Sequence, residues 1–457
     1  MKSLIKKLKA LRPSKSRQPS AAAAPDQAPF PVNDPPSTFS KPLSKLESLP
    51  AEIRLAVLLN LDINGLKALV HASPLYHQLY RAYRWSTLRG VFAKTLRDVV
   101  PDAIAESASR VIKAKELGAF SENYQRLRTL GSRAITDDDV SEDRVVEMVR
   151  FYRCIIHPLI EAYAQWAQEE LEMKEPLSLS EQARITRGLY RIQLFFNVMS
   201  RENSRSVWVY FGSEYVLHWF FCRYKPWEIE EILCVHAFAM HMYDRILREI
   251  HDDVRPSWPK FTDPERKALD NEYMREDYIR GTIQLGLPFL QMILSRRSDY
   301  DYVVFTMGVN MCWTQHLDLY LLFWDGGGTV QDERRVKHPT EEDEMQRRRD
   351  PLPFQQDDLD ATGPPLAWTI FWKGTYSNLY GYYIPTKLRL WGCFMWDGKR
   401  LRQLLKGKED RDALLSLMDD RPEPVRHYAM EYSVGEEGDP RFRFDRDDDD
   451  GDHDNLQ

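Results

Sequence analysis

Five residues able to do chemistry gather within one stretch: Cys234, His236, His241, Asp244 and His251. His241 and Asp244 stand three apart, so on a helix they share a face, as two metal ligands would. The HExxH spacing of helical zinc sites is absent, however, and Cys234 and His236 do not join that face. Free cysteine is among the most buried residue types, so the group reads as structural rather than as a metal site. A second candidate is Asp325-Gly326-Gly327-Gly328-Thr329. Glycine turns approach phosphates closely where they follow a strand and feed a helix, because backbone N–H groups converge there. Here the preceding residues read as helix and the following ones as linker, and a helix stop at Gly326 explains the same residues. No GxSxG, P-loop or kinase signature occurs. Tryptophans at 208, 219, 227, 313, 324, 368, 372, 391 and 396 could line a ligand groove, although aromatics in a helical body commonly form core. The residues therefore point away from an enzyme, with no catalytic set, cofactor or metal expected.

The elements that would hold these residues are helical. Ser141 suits a cap before a helix over Val145–Leu171, in which Val145, Met148, Phe151, Tyr152, Ile155 and Ile156 repeat at three-and-four spacing. Leu177–Asn197 reads as a helix with Ser180 near its cap, and Pro226 opens Trp227–Ile250 from a first helical position. Trp208–Phe221, Glu265–Ile279, Gly281–Leu294 and Tyr300–Trp324 complete the helical reading of the middle of the chain. No segment keeps strand alternation between turn pairs, and no repeat period is evident.

Composition agrees with a folded interaction protein. The 457 residues are 43% hydrophobic and 12% aromatic, richer than a disordered chain. A formal net charge of -6 argues against a dedicated nucleic-acid binder. Five scattered cysteines without a CxxC pair give neither a disulfide framework nor a zinc site, and fit a reducing compartment, cytoplasmic or nuclear. Apolar runs such as Val303–Trp313 fall short of the roughly 20 residues a membrane helix needs, so no stable membrane insertion is expected. Met1–Arg17 carries seven basic residues and no acid, which leaves nuclear import, a membrane-surface contact, a transit peptide and a solvated tail all open.

The most informative stretch is Leu46 to Tyr80. Pro50 suits the first turn of a helix and Glu52 its positive end. Ile53, Val57 and Leu61 form one apolar stripe, while Leu55, Leu58 and Leu59 form a second. Asn64-Gly65 is a turn, Leu66, Leu69 and Val70 begin a second helix closed by Ser73-Pro74, and Leu75, Leu79 and Tyr80 begin a third. Three short helices of about 40 residues make no self-sufficient core. One stripe is expected to pack within the module and the other against a partner or the following domain.

These residues resemble a known family. Leu49, Pro50, Glu52, Ile53, Val57, Leu58, Leu61, Leu66, Leu69, Ala72 and Ser73 follow the order and spacing of the F-box motif. Asp62, Gly65 and Ser73-Pro74 depart from its usual residues. The wording of Ala68–Tyr80, Pro226–Phe238 and Trp391–Asp397 is similar to that of F-box-like proteins of filamentous fungi, whose functions are mostly unassigned. The resemblance implies a three-helix module that docks on a Skp-type adaptor of a cullin-based ubiquitin ligase, and a body that selects a protein substrate. It places adaptor contacts at Leu49, Pro50, Ile53, Val57, Leu58, Leu61, Leu66 and Leu69. A degenerate F-box in structural use and a ligand-binding helical protein are the alternatives. The fold expected is all-α: a basic, Pro/Ala/Ser-rich disordered tail over 1–45, an F-box-like module over 46–90, and an irregular helical body over 91–324. A charged Gly/Pro linker or loop over 325–365, an aromatic helical segment over 366–420 that packs on the body, and a disordered acidic tail over 421–457 follow.

Overall fold

Prolines and short polar side chains set the first helices. Pro50 precedes α1 (Ala51–Asn60), with Glu52 in the first turn. Asp62 opens α2 (Ile63–Ala72), where its carboxylate accepts from the Gly65 amide at 2.6 Å. Ser73 opens α3 (Pro74–Ala82): its hydroxyl accepts from the Tyr76 amide at 3.4 Å, and Pro74 takes the first helical position. Two of the departures from the F-box pattern, at Asp62 and at Ser73-Pro74, are thus helix caps. The computed structural model describes residues 44–136, 140–199, 220–254, 272–311, 339–357 and 362–417. Residues 44–48 belong to a unit of their own, and the described chain from Leu49 onward forms the other.

Within that larger unit, α4 (Arg84–Leu96) receives α1, α2 and α3 on one side. On its other side it meets α7 (Glu142–Phe151) and the short 3-10 turn Gly131–Thr136. Arg89 ties this turn down by donating to the Ile135 carbonyl at 3.1 and 2.7 Å. Then come α5 (Val100–Ser109) and α6 (Leu117–Leu130). Ser141 caps α7, accepting from the Arg144 amide. The run expected as one helix over Val145–Leu171 is α7, a π turn at Tyr152–Ile156, and α8 (His157–Glu170), so it is continuous but changes hydrogen-bond register midway.

The centre is the crossing of α9 (Leu179–Met199) and α10 (Pro226–Val254), with α5 on the far side of α9. Gly188 allows the close approach: a Cβ there would stand 2.8 Å from Val235 Cγ2 and 3.0 Å from the Glu231 carbonyl oxygen. Pro226 opens α10 as expected. Ser180 lies near the cap of α9 as expected, two residues after Ser178, which makes the cap. Ser178 and Glu181 exchange hydrogen bonds in a capping box, the Glu181 amide with the Ser178 hydroxyl and the Ser178 amide with the Glu181 carboxylate.

Against α10 pack α11 (Glu272–Ile283) and α13 (Tyr300–Asn310), while α12 (Leu287–Ser295) reaches the π turn. Gly286 separates α11 from α12 at φ 84°, interrupting the helix expected over Gly281–Leu294. The expected helices over Trp208–Phe221, Glu265–Ile279 and Tyr300–Trp324 fall partly outside the described residues.

The stretch expected as a linker is partly built into the protein. Thr340 and Asp343 form a capping box that starts α14 (Glu341–Arg348). Asp343 and Gln346 are buried, and both engage Asn378: its side chain donates to Asp343 and its amide to Gln346 at 2.8 Å. An extended segment follows, in which Leu352 donates to the Gly374 carbonyl at 2.8 Å and Asp357 pairs with buried Arg184. The Pro351–Thr375 bridge here is the sole β contact among the described residues, so the fold is all-α.

The aromatic segment contains α15 (Leu366–Phe371), α16 (Thr386–Leu390), α17 (Gly398–Leu404) and α18 (Arg411–Ser416). Trp368 and Trp396 are fully buried, and Trp391 is nearly so. Arg389 of α16 binds Glu230 of α10 at 2.7 Å. Trp227 and Trp368 meet edge to face, and Tyr163, Trp166 and Phe238 form a second cluster of the same core, where Tyr163 meets Trp396. These tryptophans serve packing.

Candidate interaction surface

Helix α1 buries one seam and leaves the rest outward. Leu58 is fully buried against α3 and α4, and Leu55 is half-buried beside it. Leu66 is buried too, with Ile63 and Tyr76, and all belong to the same hydrophobic core as the body. The apolar partner that three short helices require is therefore α4 and what lies beyond it. Leu49 is half-buried. Val57, Leu61 and Leu69 are half-buried at the edge of the core. Pro50 is exposed, and Ile53 keeps 46% of its surface in solvent. Leu59, at 36%, lies on the opposite flank of the helix beside Gly90. The structure thus splits the expected docking set into an outward group, Pro50 and Ile53, an edge group, Leu49, Val57, Leu61 and Leu69, and an inward pair, Leu58 and Leu66.

Polar contacts hold this surface in place. Lys94 of α4 donates to the Asn60 carbonyl at 2.7 Å and to its side-chain oxygen at 3.0 Å, which satisfies the end of α1. Asn64 Nδ2 and His157 Nε2 lie 2.9 Å apart, linking the start of α2 to the start of α8. The exposed end of α1 is thereby presented on helices fixed to the body.

The residues with the strongest chemical potential lie elsewhere and are buried. Cys234 and His236 sit inside α10. Burial pushes the Cys234 thiol well up and, reinforced by Arg280 and Arg389, pushes His236 down to about 3. Neither offers a nucleophile or a base near neutrality. Asp244 is engaged by Arg248 and Arg275, at 2.8 and 2.9 Å. Among the described residues no three His, Cys, Asp or Glu side chains are placed to hold a metal ion. The glycine run at 326–328 and the basic residues of Met1–Arg17 lie outside the described residues.

A buried charge layer went unread in the sequence. Arg184, Arg187 and Arg191 follow a three-and-four spacing on α9 and face α10 and its neighbours. Arg187 makes a two-pronged contact with Glu231 at 2.8 and 2.7 Å and also reaches Asp98 at 3.0 Å. Arg191 binds Asp102 at 2.8 Å and Glu228 at 2.9 Å, and Arg128 also reaches Glu228 at 2.9 Å. The Tyr124 hydroxyl donates to Asp102. Burial opposes the charge on Glu228, but Arg191 and Arg128 outweigh it and hold its carboxyl far below the usual range. Burial pushes the Tyr124 phenol well up. The layer is a network of paired charges rather than an acid–base couple, with Asp98 Oδ1 left without a hydrogen-bond partner among the described residues. Its signal was the arginine spacing opposite Glu228 and Glu231.

No described helix is long and apolar enough to cross a membrane. The chain matches no protein-family model, no curated protein and no solved structure.

Proposed function

We propose that this chain is a protein-interaction adaptor. It docks through the outward end of α1 onto a Skp-type adaptor of a cullin-based ubiquitin ligase, and its helical body recruits a protein substrate. The observation that carries this reading is Ile53, held 46% exposed next to exposed Pro50 on a helix whose other side is anchored in the core. The F-box-like order of Leu49, Pro50, Ile53, Val57, Leu58 and Leu61 supports it. In this reading Pro50 and Ile53 meet the partner, and Leu49, Val57, Leu61 and Leu69 flank the contact. Leu58 and Leu66 act indirectly by holding the helices. Catalysis belongs to other subunits, and this chain supplies proximity by raising the effective concentration of substrate. The setting is cytoplasmic or nuclear, where thiols stay reduced.

The test is co-purification of the full chain with a Skp-type adaptor, wild type against Pro50→Ala/Ile53→Asp. A one-to-one complex, lost in the variant while its melting temperature is kept, is the expected result. A folded wild type that leaves the adaptor unbound overturns the proposal and assigns Leu46–Tyr80 to the core alone.

A further inference from the structure

Between Asp62 and Asp98 the chain has no carboxylate side chain. At the average of 69 acids in 457 residues, the 35 positions between them would hold about five. They hold Lys67, Arg81, Arg84, Arg89, Lys94 and Arg97 instead. This stretch makes α2, α3 and α4. Helix α1, which packs on all three, adds Glu52 and Arg54. With the Asp62 cap included, Leu49–Arg97 therefore carries seven Lys or Arg against two acids. Helix α7, which also packs on α4, is close to neutral, with Glu142, Asp143 and Glu147 against Arg144 and Arg150. The body does not cancel the excess there.

Three of these cations face solvent. Lys67 of α2, Arg81 of α3 and Arg84 of α4 are exposed, and none is paired with a carboxylate among the described residues. Arg84 takes the first position of α4, where the helix dipole disfavours a cation, and no acid stands in that turn to offset it. Neither packing nor helix formation accounts for an arginine at this place. The opposite charge is present in the same chain. Asp445–Asp454 holds seven aspartates and one arginine, and lies outside the described residues. Asp445 follows Leu417, the last described residue, by 28 positions, a reach of about 90 Å at full extension. Attachment to the same chain gives the run an effective concentration on the order of 1 mM, at which even a weak attraction fills a site.

We infer that Asp445–Asp454 docks on the basic surface of this module, around Lys67, Arg81 and Arg84, so that an acidic partner must displace it. This does not depend on how α1 is used. The test is fluorescence anisotropy with a labelled peptide of residues 445–454, added to the full-length chain and to a full-length variant with those seven aspartates changed to asparagine. The variant should bind the peptide about tenfold more tightly than wild type, because its own run no longer competes. Salt at about 0.5 M should abolish the difference, since the charges are exposed. Adding Lys67→Gln/Arg81→Gln/Arg84→Gln to the asparagine variant should weaken binding about fivefold or more with the melting temperature kept. Equal binding by wild type and the asparagine variant overturns the inference, as does absence of binding. Binding unchanged by the three glutamines also overturns it and moves the contact to the basic residues of Met1–Arg17. A DNA duplex that binds through the same three residues, and that the peptide fails to displace, would assign the surface to nucleic acid instead.

Discussion

Asp98→Asn should make this protein more stable at neutral pH. Asp98 lies in the 3-10 turn Arg97–Val99 between α4 and α5, four-fifths buried, with Oδ2 accepting from Arg187 at 3.0 Å. Its Oδ1 is buried without a hydrogen-bond partner among the described residues. Among the described residues, the part of the charge layer linked to it, apart from the Arg184–Asp357 pair, holds four carboxylates, Asp98, Asp102, Glu228 and Glu231, against three guanidinium groups, Arg128, Arg187 and Arg191. Asp98 is the surplus acid. Burial raises its carboxyl to about 6 from 3.8, with repulsion from Asp102 adding and attraction to Arg187 opposing. Between those two values the folded chain holds a proton that the unfolded chain has released. Stability from this group is thus complete below pH 3.8, falls as pH rises through the window, and is lost above about pH 6. Two pH units correspond to about 3 kcal/mol. Asparagine reproduces the neutral form but buries an extra N–H donor, which costs about 1 kcal/mol or more. The expected gain is therefore about 2 kcal/mol at pH 7.5, and little or none at pH 5 and below. Urea unfolding of wild type and variant at both values reads it directly. A variant less stable than wild type at pH 7.5, or a difference that does not change with pH, refutes the reasoning.

Two further perturbations check the packing. Gly188→Ala should destabilise the protein by about 1–3 kcal/mol, because the new methyl meets Val235 and the Glu231 backbone at the α9–α10 crossing; thermal or chemical unfolding measures it. Leu58→Ala should cost about 2–5 kcal/mol through a core cavity, whereas Ile53→Ala should stay within about 1 kcal/mol, and equal losses at both would mean that α1 is buried on both sides.

What could be read from residue order was local. Pro50, Ser141 and Pro226 each stand at the start of the helix expected, because a cap or a first-turn proline acts on its own neighbours. The two stripes on α1 were legible as apolar, but which would be inside was not. Ile53 and Leu58 are similar in hydrophobicity, and their fates depend on where α3 and α4 come to rest. The same limit explains the stretch at 325–365. Its charge and proline content read as a linker, yet the Thr340–Asp343 box was a local helix signal that the charge density obscured. The burial of Asp343 and Gln346 was not local at all, because it depends on Asn378 arriving from 32 or more residues away.

The charge layer is the sharpest case. An arginine at three-and-four spacing ordinarily marks a solvated helix face, and hydrophobic periodicity alone assigns it there. Arg184, Arg187 and Arg191 are instead almost fully buried, because α5, α10 and the extended segment bring carboxylates to them. Such pairs add little net stability over apolar packing, since desolvation offsets most of their attraction. Removing one partner is a different matter, because it strands a charge in the interior. Each pair therefore penalises arrangements in which α9 meets the wrong neighbour. Arg187 illustrates this. It reaches Glu231 on α10 and Asp98 beside α4 at once, so the helix that carries the outward face of α1 and the helix that anchors the aromatic segment are registered on a single side chain.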